Sequence, residues 1–87
     1  MTPLQMANHP NRSKLDATGR NPTPAEIRAA RDAAGLSQGD AAAKVLGSKR
    51  AWEKWESEDQ VENRRMHPGL FKLFLIVTNQ PVPDWLK

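Results

Sequence analysis

The sequence predicts an all-α domain, and three observations support that prediction. Apolar residues recur at helical spacing in several short segments. A serine comes just before two of these segments, where its side-chain oxygen can cap the first turn of a helix. Glycine or proline lies at the boundaries between segments. A chain of 87 residues forms one small domain of this kind, without room for a deep enzyme cleft.

The first 22 residues predict a flexible basic arm, so we expect the folded domain to span residues 23–87. The segment contains three prolines, three asparagines and one glycine, with three Arg or Lys residues against a single aspartate. Nothing in it repeats with a helical or strand period, and such segments cannot bury enough apolar surface to fold.

The first helix is predicted to begin at Pro24 and to end at Gly35. Proline suits the first helical turn, where its missing N–H is not needed. Glu26 is favourable near the positive end of the helix dipole. One face of this helix is apolar and consists of Ile27, Ala30 and Ala34.

A second helix is predicted from Gln38, because Ser37 can accept a hydrogen bond from the N–H groups of its first turn. Asp40 also suits that end. Gly47 is expected to end the helix. A narrow face of small and apolar residues is expected to approach another helix, and it consists of Ala41, Ala42, Val45 and Leu46.

A third helix is predicted over Lys49–Glu56, capped by Ser48. Trp52 and Trp55 lie three residues apart and are expected to face the core rather than to stack on bases. The solvent-facing side is then polar and mostly basic, and it consists of Lys49, Arg50, Glu53 and Lys54.

Residues 57–67 form a polar connection that is long for a compact bundle and is therefore a candidate contact segment. Pro68 is expected to open a fourth helix, which is apolar almost all round. That character fits either a central core helix or a subunit interface. A last helical turn is expected at 84–86.

The second and third predicted helices are short and are joined by a tight turn, and the third has a basic outer face. This geometry places a helix in the major groove of DNA. Leu36–Gln38, Ala42, Ser48 and Trp55–Glu56 resemble the motif of helix-turn-helix repressors of the Cro/CI type, also called XRE. The resemblance covers Pro24 to Leu86 and implies a compact five-helix, lambda-repressor-like domain. In that family the turn glycine commonly lies one position earlier, where this chain has Leu46.

The resemblance implies that Lys49, Arg50 and Lys54 read DNA bases. Arg50 is the strongest candidate, because a guanidinium offers two donors that match guanine O6 and N7. Glu53 could accept a hydrogen bond from cytosine or pair with Lys49 one turn away, and we favour the pair. The alternative is that these charges only keep an exposed helix face solvated.

Contacts to the DNA backbone are expected at helix starts and in the connection. The resemblance implies a phosphate contact for Gln38, whereas the alternative is an ordinary exposed residue of a first turn. The other candidates for backbone contacts are Ser37, Ser48, Arg64 and Arg65, and the two arginines could equally be a solvated loop pair.

The family pairs an arginine of the first helix with the glutamate that ends the third, and Arg31 and Glu56 occupy the matching positions. The resemblance therefore implies a largely buried ion pair that fixes the angle of the third helix. Trp85, with Leu86 beside it, is expected either to close the monomer core or to pack across a two-fold axis, and we favour the dimer interface.

Other function classes find little support in the sequence. There is no cysteine, and the two histidines, His9 and His67, lack nearby partners for catalysis or for metal binding. No phosphate-binding glycine loop is present. No cofactor is therefore expected. The chain has no run of 18 apolar residues, so we expect it to be cytoplasmic.

The expected function is sequence-specific binding of double-stranded DNA at a palindromic or pseudo-palindromic operator by a homodimer. The net charge of +3 agrees with phosphate attraction if the cations share a face. An autoregulatory repressor of a phage or mobile-element operon, for example an anti-CRISPR-associated one, is the most economical role. Two alternatives remain open: an antitoxin or other module that neutralises a protein partner, and an RNA-binding adaptor.

Overall fold

A computed structural model describes residues 20–87 of the chain. These residues form four α-helices followed by a single 3₁₀ turn, and no strand occurs within the described range, so the all-α prediction is confirmed. The helices are α1 (Pro24–Ala34), α2 (Gln38–Lys44), α3 (Lys49–Glu56) and α4 (Pro68–Val77), and the 3₁₀ turn is Asp84–Leu86. The expectations for residues 1–19 of the arm lie outside the described residues.

The caps predicted at Ser37 and Ser48 are present, and Thr23 caps α1. Thr23 and Glu26 form a reciprocal capping box at the start of α1. Ser37 Oγ accepts a hydrogen bond from the Asp40 N–H at 3.1 Å, and Ser48 Oγ accepts one from the Ala51 N–H, also at 3.1 Å. These local bonds satisfy N–H groups that have no partner inside the helix, so they fix where each helix begins.

The core is centred on Trp52, which is completely buried and lies 5.0 Å from Phe74 of α4 between ring centroids. Trp55 is only partly buried and meets Trp52 edge to face. The other buried apolar residues come from the other helices, the 3₁₀ turn and the connecting segments, and they are Ile27, Ala30, Ala41, Ala42, Val45, Met66, Phe71, Leu75 and Leu86. α4 therefore packs at the centre of the core, which is one of the two positions that the sequence analysis gave for this helix.

α2 ends at Lys44, earlier than the end expected at Gly47, and Leu46 lies in the turn that follows. Leu46 was expected to face the core, but its side chain is 96% exposed and its φ angle is +59°. A left-handed residue reverses the chain direction, so its side chain no longer follows the face of the preceding helix. Gly47 follows with its N–H bonded to the Ala42 carbonyl at 2.8 Å.

The connection from Ser57 to His67 is tied to the end of α3. The Asn63 side-chain amide donates to the carbonyls of Lys54 and Ser57, at 3.2 and 3.0 Å. The Arg64 N–H also donates to the Lys54 carbonyl, at 3.1 Å. These bonds satisfy carbonyls that a helix end leaves free, so the connection holds a defined position beside α3.

Residues 20–22, which the sequence assigned to the arm, contact the helical body. Asn21 donates a side-chain hydrogen bond to the Met66 carbonyl at 2.8 Å, and Pro22 is buried. The Arg20 guanidinium forms two hydrogen bonds to the Glu26 carboxylate, at 3.0 and 2.8 Å. None of the helices in the described range has the length and hydrophobicity needed to cross a membrane.

Candidate nucleic-acid interface

The outer face of α3 carries the charged residues that the sequence singled out. Lys49, Arg50 and Glu53 are exposed. The favoured pair between Lys49 and Glu53 is wrong, because neither residue forms an ion pair within residues 20–87. The Lys49 stem instead passes beside Gly39 of α2. The Arg50 side chain, which has no ion pair in the same range, is available to a ligand.

Lys54 differs from the other cations of α3 because its ammonium is engaged. Its Nζ lies 3.2 Å from Glu62 Oε1 in the connection, and the two side chains are 26% and 60% exposed. Both Asp59 and Asn63 hold the backbone around Glu62 through hydrogen bonds. A base contact by Lys54 would therefore have to replace this intramolecular partner.

A concave surface beside α3 brings together cations that are distant in sequence. We name it the basic groove; its volume is about 450 Å³ and it is lined by Ser48, Arg50, Ala51, Lys54, Trp55, Arg64 and Arg65. It carries four positive side chains, of which Lys54 is paired with Glu62, and none of the described residues that line it is acidic. Like charges that converge on one concave face raise the local positive potential, which favours a polyanion.

The partly exposed Trp55 lies between the core and the basic groove. One part of its indole contacts the core through Trp52, and another part borders the groove next to Ala51. The expectation that both tryptophans face the core therefore holds fully for Trp52 and partly for Trp55. The indole supplies a rigid apolar wall beside the arginines.

Arg31 and Glu56 meet in a two-pronged ion pair beneath the outer face of α3. Arg31 Nε lies 2.6 Å from Glu56 Oε2, and Arg31 Nη2 lies 3.0 Å from Glu56 Oε1. Trp52 Nε1 donates to the same carboxylate. Glu56 is 3% exposed and Arg31 18% exposed. This planar pairing fixes the end of α3 against α1, because both side chains are held in one geometry.

The carboxylate of Glu56 is held in its charged form. Burial alone would raise its pKa, but the hydrogen bonds from Arg31 and Trp52, together with the Arg31 charge, outweigh burial and lower the pKa below its ordinary value. A buried carboxylate with this many donors keeps its charge at neutral pH. The ion pair is therefore intact under the conditions in which a ligand would bind.

The polar residues at the start of α2 and α3 take two different roles. Gln38 is half-buried and donates its amide to Glu56 Oε1 at 3.2 Å. The hydroxyls of Ser37 and Ser48 are exposed and already accept helix-capping bonds, which leaves their O–H groups as donors. Gln38 is thus oriented by the ion pair, whereas the serines are oriented by the helix starts.

Trp85 and Leu86, expected at a subunit interface, have partners inside this chain. Leu86 is buried, and the Trp85 ring stacks on Phe71 with a centroid distance of 6.1 Å. The Arg20 guanidinium lies 3.8 Å above the centre of the Trp85 ring. The turn at 84–86 therefore closes the monomer core.

Two charged residues near the predicted site were not singled out from the sequence. Arg28 lies one helical turn before Arg31, and its Nε is 3.7 Å from Glu56 Oε1. The spacing of three residues could have indicated that both arginines share a face of α1. Glu62 had no such signal, because only the folded connection brings it to Lys54.

Searches for relatives gave no similarity to build on: no family model matches the chain, and no curated protein matches it. The geometry of residues 20–87 is therefore the basis for a functional proposal. Within that range no three His, Cys, Asp or Glu side chains converge as metal ligands would.

Proposed function

We propose that this protein is a sequence-specific transcriptional regulator that binds double-stranded DNA through a helix-turn-helix formed by α2 and α3. The observation that supports it most is the basic groove, where Arg50 of α3 and the Arg64–Arg65 pair share one concave face. An autoregulatory repressor of a phage or mobile-element operon is the role we propose.

In the proposed complex α3 lies in the major groove of DNA. Exposed Arg50 at its first turn contacts guanine, and Lys49 contacts a neighbouring base edge. The arginines of the connection flank α3 and contact phosphates, which sets the register without reading sequence. The ion pair of Arg31 with Glu56 keeps α3 at a fixed angle, so recognition needs little rearrangement.

A homodimer completes the proposal, because a palindromic operator presents two half-sites. Trp85 and Leu86 are engaged inside the monomer, which leaves the outer side of α4 as the apolar surface for a second copy. Its exposed residues follow the helical spacing i, i+3, i+4 and are Leu73, Ile76 and Val77, with exposed fractions of 40, 53 and 43%. A palindromic operator with half-sites one turn of DNA apart requires the two α3 helices of the dimer to lie about 34 Å apart.

The same apolar stripe favours a second candidate function. A protein partner, such as a toxin neutralised by this chain, could bind α4 through the three exposed residues. Binding of this kind would be nearly insensitive to salt, because it does not depend on released counterions.

Selection from a pool of random duplexes tests the proposal directly. Purified protein is incubated with the pool, bound duplexes are recovered, and the enriched sequences are read. We expect two inverted half-sites whose centres lie about 10 base pairs apart. A pool that stays random after repeated rounds would overturn sequence-specific DNA binding and would favour the protein-partner function.

A further inference from the structure

One face of α3 forms a large part of the basic groove. Four of the groove residues follow the helical spacing i, i+1, i+4 and i+5, and they are Arg50, Ala51, Lys54 and Trp55. Residues at this spacing project from the same side of a helix. The apolar pair Ala51 and Trp55 therefore runs beside the cationic pair Arg50 and Lys54.

The remaining cations of the groove come from the connection, and the end of α3 holds them in place. The Arg64 N–H donates to the Lys54 carbonyl at 3.1 Å, and Arg65 follows directly in the chain. The indole of Trp55 is fixed as well, because it packs edge to face on the completely buried Trp52. The groove is therefore built before a ligand arrives, which reduces the ordering that binding requires.

The charges around the groove leave a positive excess. Its three arginines form no ion pair within residues 20–87, and they are Arg50, Arg64 and Arg65. The adjoining cleft adds the carboxylates of Glu53 and Glu62, of which Glu62 is paired with Lys54. Groove and cleft together are lined by four cations and two carboxylates, so positive charge is in excess.

An aromatic wall beside unpaired guanidinium groups suits a nucleotide. Aromatic side chains pack against any nucleobase, because every base has a π-face. Guanidinium groups bind phosphate oxygens through two parallel donors. The groove volume of about 450 Å³ lies within the range of small-ligand sites, about 300 to 1,000 Å³. The groove therefore fits a small ligand with a base at one end and phosphates at the other.

We propose that the basic groove binds a free nucleoside diphosphate, with its base against Trp55 and its phosphates on Arg64 and Arg65. Arg50 lines the same groove, so a bound nucleotide would compete with DNA for this arginine. Nucleotide binding itself does not depend on the proposed function. Its consequence, release of the operator when nucleotide is abundant, rests on the proposed function.

Calorimetry of the full chain with adenosine diphosphate tests the site without DNA. Inorganic pyrophosphate supplies the phosphates without a base, and it should bind about 5- to 150-fold more weakly, the contribution of one base packed on an aromatic ring. Adenosine, which lacks phosphates, should also bind more weakly. Equal affinities for adenosine diphosphate and pyrophosphate would overturn the proposal, because they would leave only general attraction of anions.

Substitutions in the groove separate the base from the phosphates. Trp55→Leu should lower the affinity for adenosine diphosphate to that for pyrophosphate, and should leave pyrophosphate binding unchanged. Arg65→Ala should weaken binding of both ligands several-fold. Lys44→Ala is the charge-matched control, since Lys44 is exposed on α2 and does not line the groove. Equal losses in Arg65→Ala and Lys44→Ala would refute a site built by the groove.

Indole N–H signals in the NMR spectrum of the wild type keep the test independent of how Trp55→Leu folds. The chain has three tryptophans, and Trp85 packs on Phe71 rather than in the groove. Adenosine diphosphate should shift the Trp55 signal and leave the Trp85 signal in place. An unmoved Trp55 signal would overturn the proposal.

A single-stranded oligonucleotide tests the other source of an unpaired base. Adenosine diphosphate should hold the groove against an equal concentration of nucleotides in such a strand. Displacement at a much lower concentration would overturn a free nucleotide as the ligand and would favour the RNA-binding alternative.

Competition with a DNA duplex separates this inference from the proposed function. Adenosine diphosphate should displace the duplex as it fills the groove. A chain that binds its operator but not adenosine diphosphate would overturn the inference and leave the proposed function standing. A chain that binds adenosine diphosphate but no duplex would do the reverse. Simultaneous binding of both ligands would refute the predicted release of DNA.

Discussion

At the residue scale, the outer face of α3 divides its charges between free and engaged groups. Arg50 is exposed and unpaired within residues 20–87, whereas Lys54 is held by Glu62. The sequence could predict which side chains leave the core, because helical spacing determines that. It could not predict that Lys54 meets a partner from the connection, because Glu62 lies eight residues further along the chain, in an irregular segment.

Arg50→Ala should lower operator affinity by about 1 to 3 kcal/mol and relax the preference at one operator position. The reason is that a guanidinium held in the major groove makes two bonds to guanine that alanine cannot replace. Competition binding on operators with single base changes measures both effects. Arg64→Ala is the matched control and should weaken all duplexes alike. Equal losses for Arg50→Ala on operator and random DNA would remove its base-reading role.

Glu62→Gln should strengthen binding to random DNA by a few-fold and steepen its salt dependence by about 0.9. Without the carboxylate, the Lys54 ammonium is free to contact a phosphate. The gain is modest because an exposed ion pair is worth at most about 1 kcal/mol.

Glu58→Gln is the charge-matched control for Glu62, since Glu58 lies in the same connection and is exposed. Anisotropy titrations of both variants with a random duplex make the comparison. Identical effects of the two substitutions would show that binding to random DNA depends on net charge alone and not on the pairing of Glu62 with Lys54.

At the element scale, the helices themselves could be predicted because their signals are local. Thr23, Ser37 and Ser48 cap their own first turns, and the glycine at position 35 ends α1 in a left-handed conformation with φ +69°. The backbone conformation of the turn before α3 was less predictable. Spacing alone does not reveal that Leu46, rather than Gly47, adopts the left-handed conformation.

Leu46→Gly should raise the free energy of unfolding by up to about 1 kcal/mol, because glycine removes the steric cost of a left-handed residue. The leucine side chain is 96% exposed, so its removal sacrifices little packing. Urea denaturation measures the change.

Gly47→Ala is the control for the turn. A Cβ at Gly47 would meet Trp55 and the Ala42 carbonyl at 3.5 and 3.6 Å, which is ordinary contact. We therefore expect a change within about 0.5 kcal/mol. A loss of stability in Leu46→Gly would contradict the assignment of strain to Leu46.

The start of α1 should make stability depend on acid pH. The hydrogen bonds from Arg20, together with the Thr23 N–H, lower the pKa of Glu26 from 4.5 to about 2. A carboxyl whose pKa is lower in the folded state stabilises the fold above its unfolded pKa. This contribution should be fully present above pH 4.5 and should disappear as the pH falls towards 2. The lowered pKa of Glu56 acts in the same direction.

Denaturation midpoints at about pH 7 and about pH 3 measure this effect in wild type and Glu26→Gln. The variant keeps an oxygen that can accept from the Thr23 N–H but loses the ion pair. It should be less stable near neutral pH and should lose less stability on acidification. A wild-type midpoint that does not fall between these two pH values would contradict the shifted pKa.

At the scale of the whole molecule, contacts between residues that are distant in sequence determine which side chains are buried and which stay exposed. Met66 lies in a segment that looks polar, yet it is completely buried and receives a hydrogen bond on its carbonyl from Asn21. Trp85 was expected either to close the monomer core or to pack across a two-fold axis, and Phe71 and Arg20 contact it within the monomer. Neither spacing nor composition reveals such partners, because only the folded chain brings residues so distant in sequence together.

These same contacts leave two surfaces for partners: the basic groove beside α3 and the apolar stripe on α4. We propose that DNA occupies the first and a second copy the second. The two surfaces predict opposite responses to salt, because counterion release governs the groove and apolar burial governs the stripe.

Sequence-selective DNA binding is the central claim, and anisotropy tests it most directly. The full chain is titrated into a labelled duplex from the DNA upstream of its own gene and into a scrambled duplex of equal length, at about 50 and about 200 mM salt. We expect tighter binding to the upstream duplex and a salt slope of several ions. Weak binding that is equal for both duplexes would contradict the claim and would reduce the basic groove to non-specific attraction.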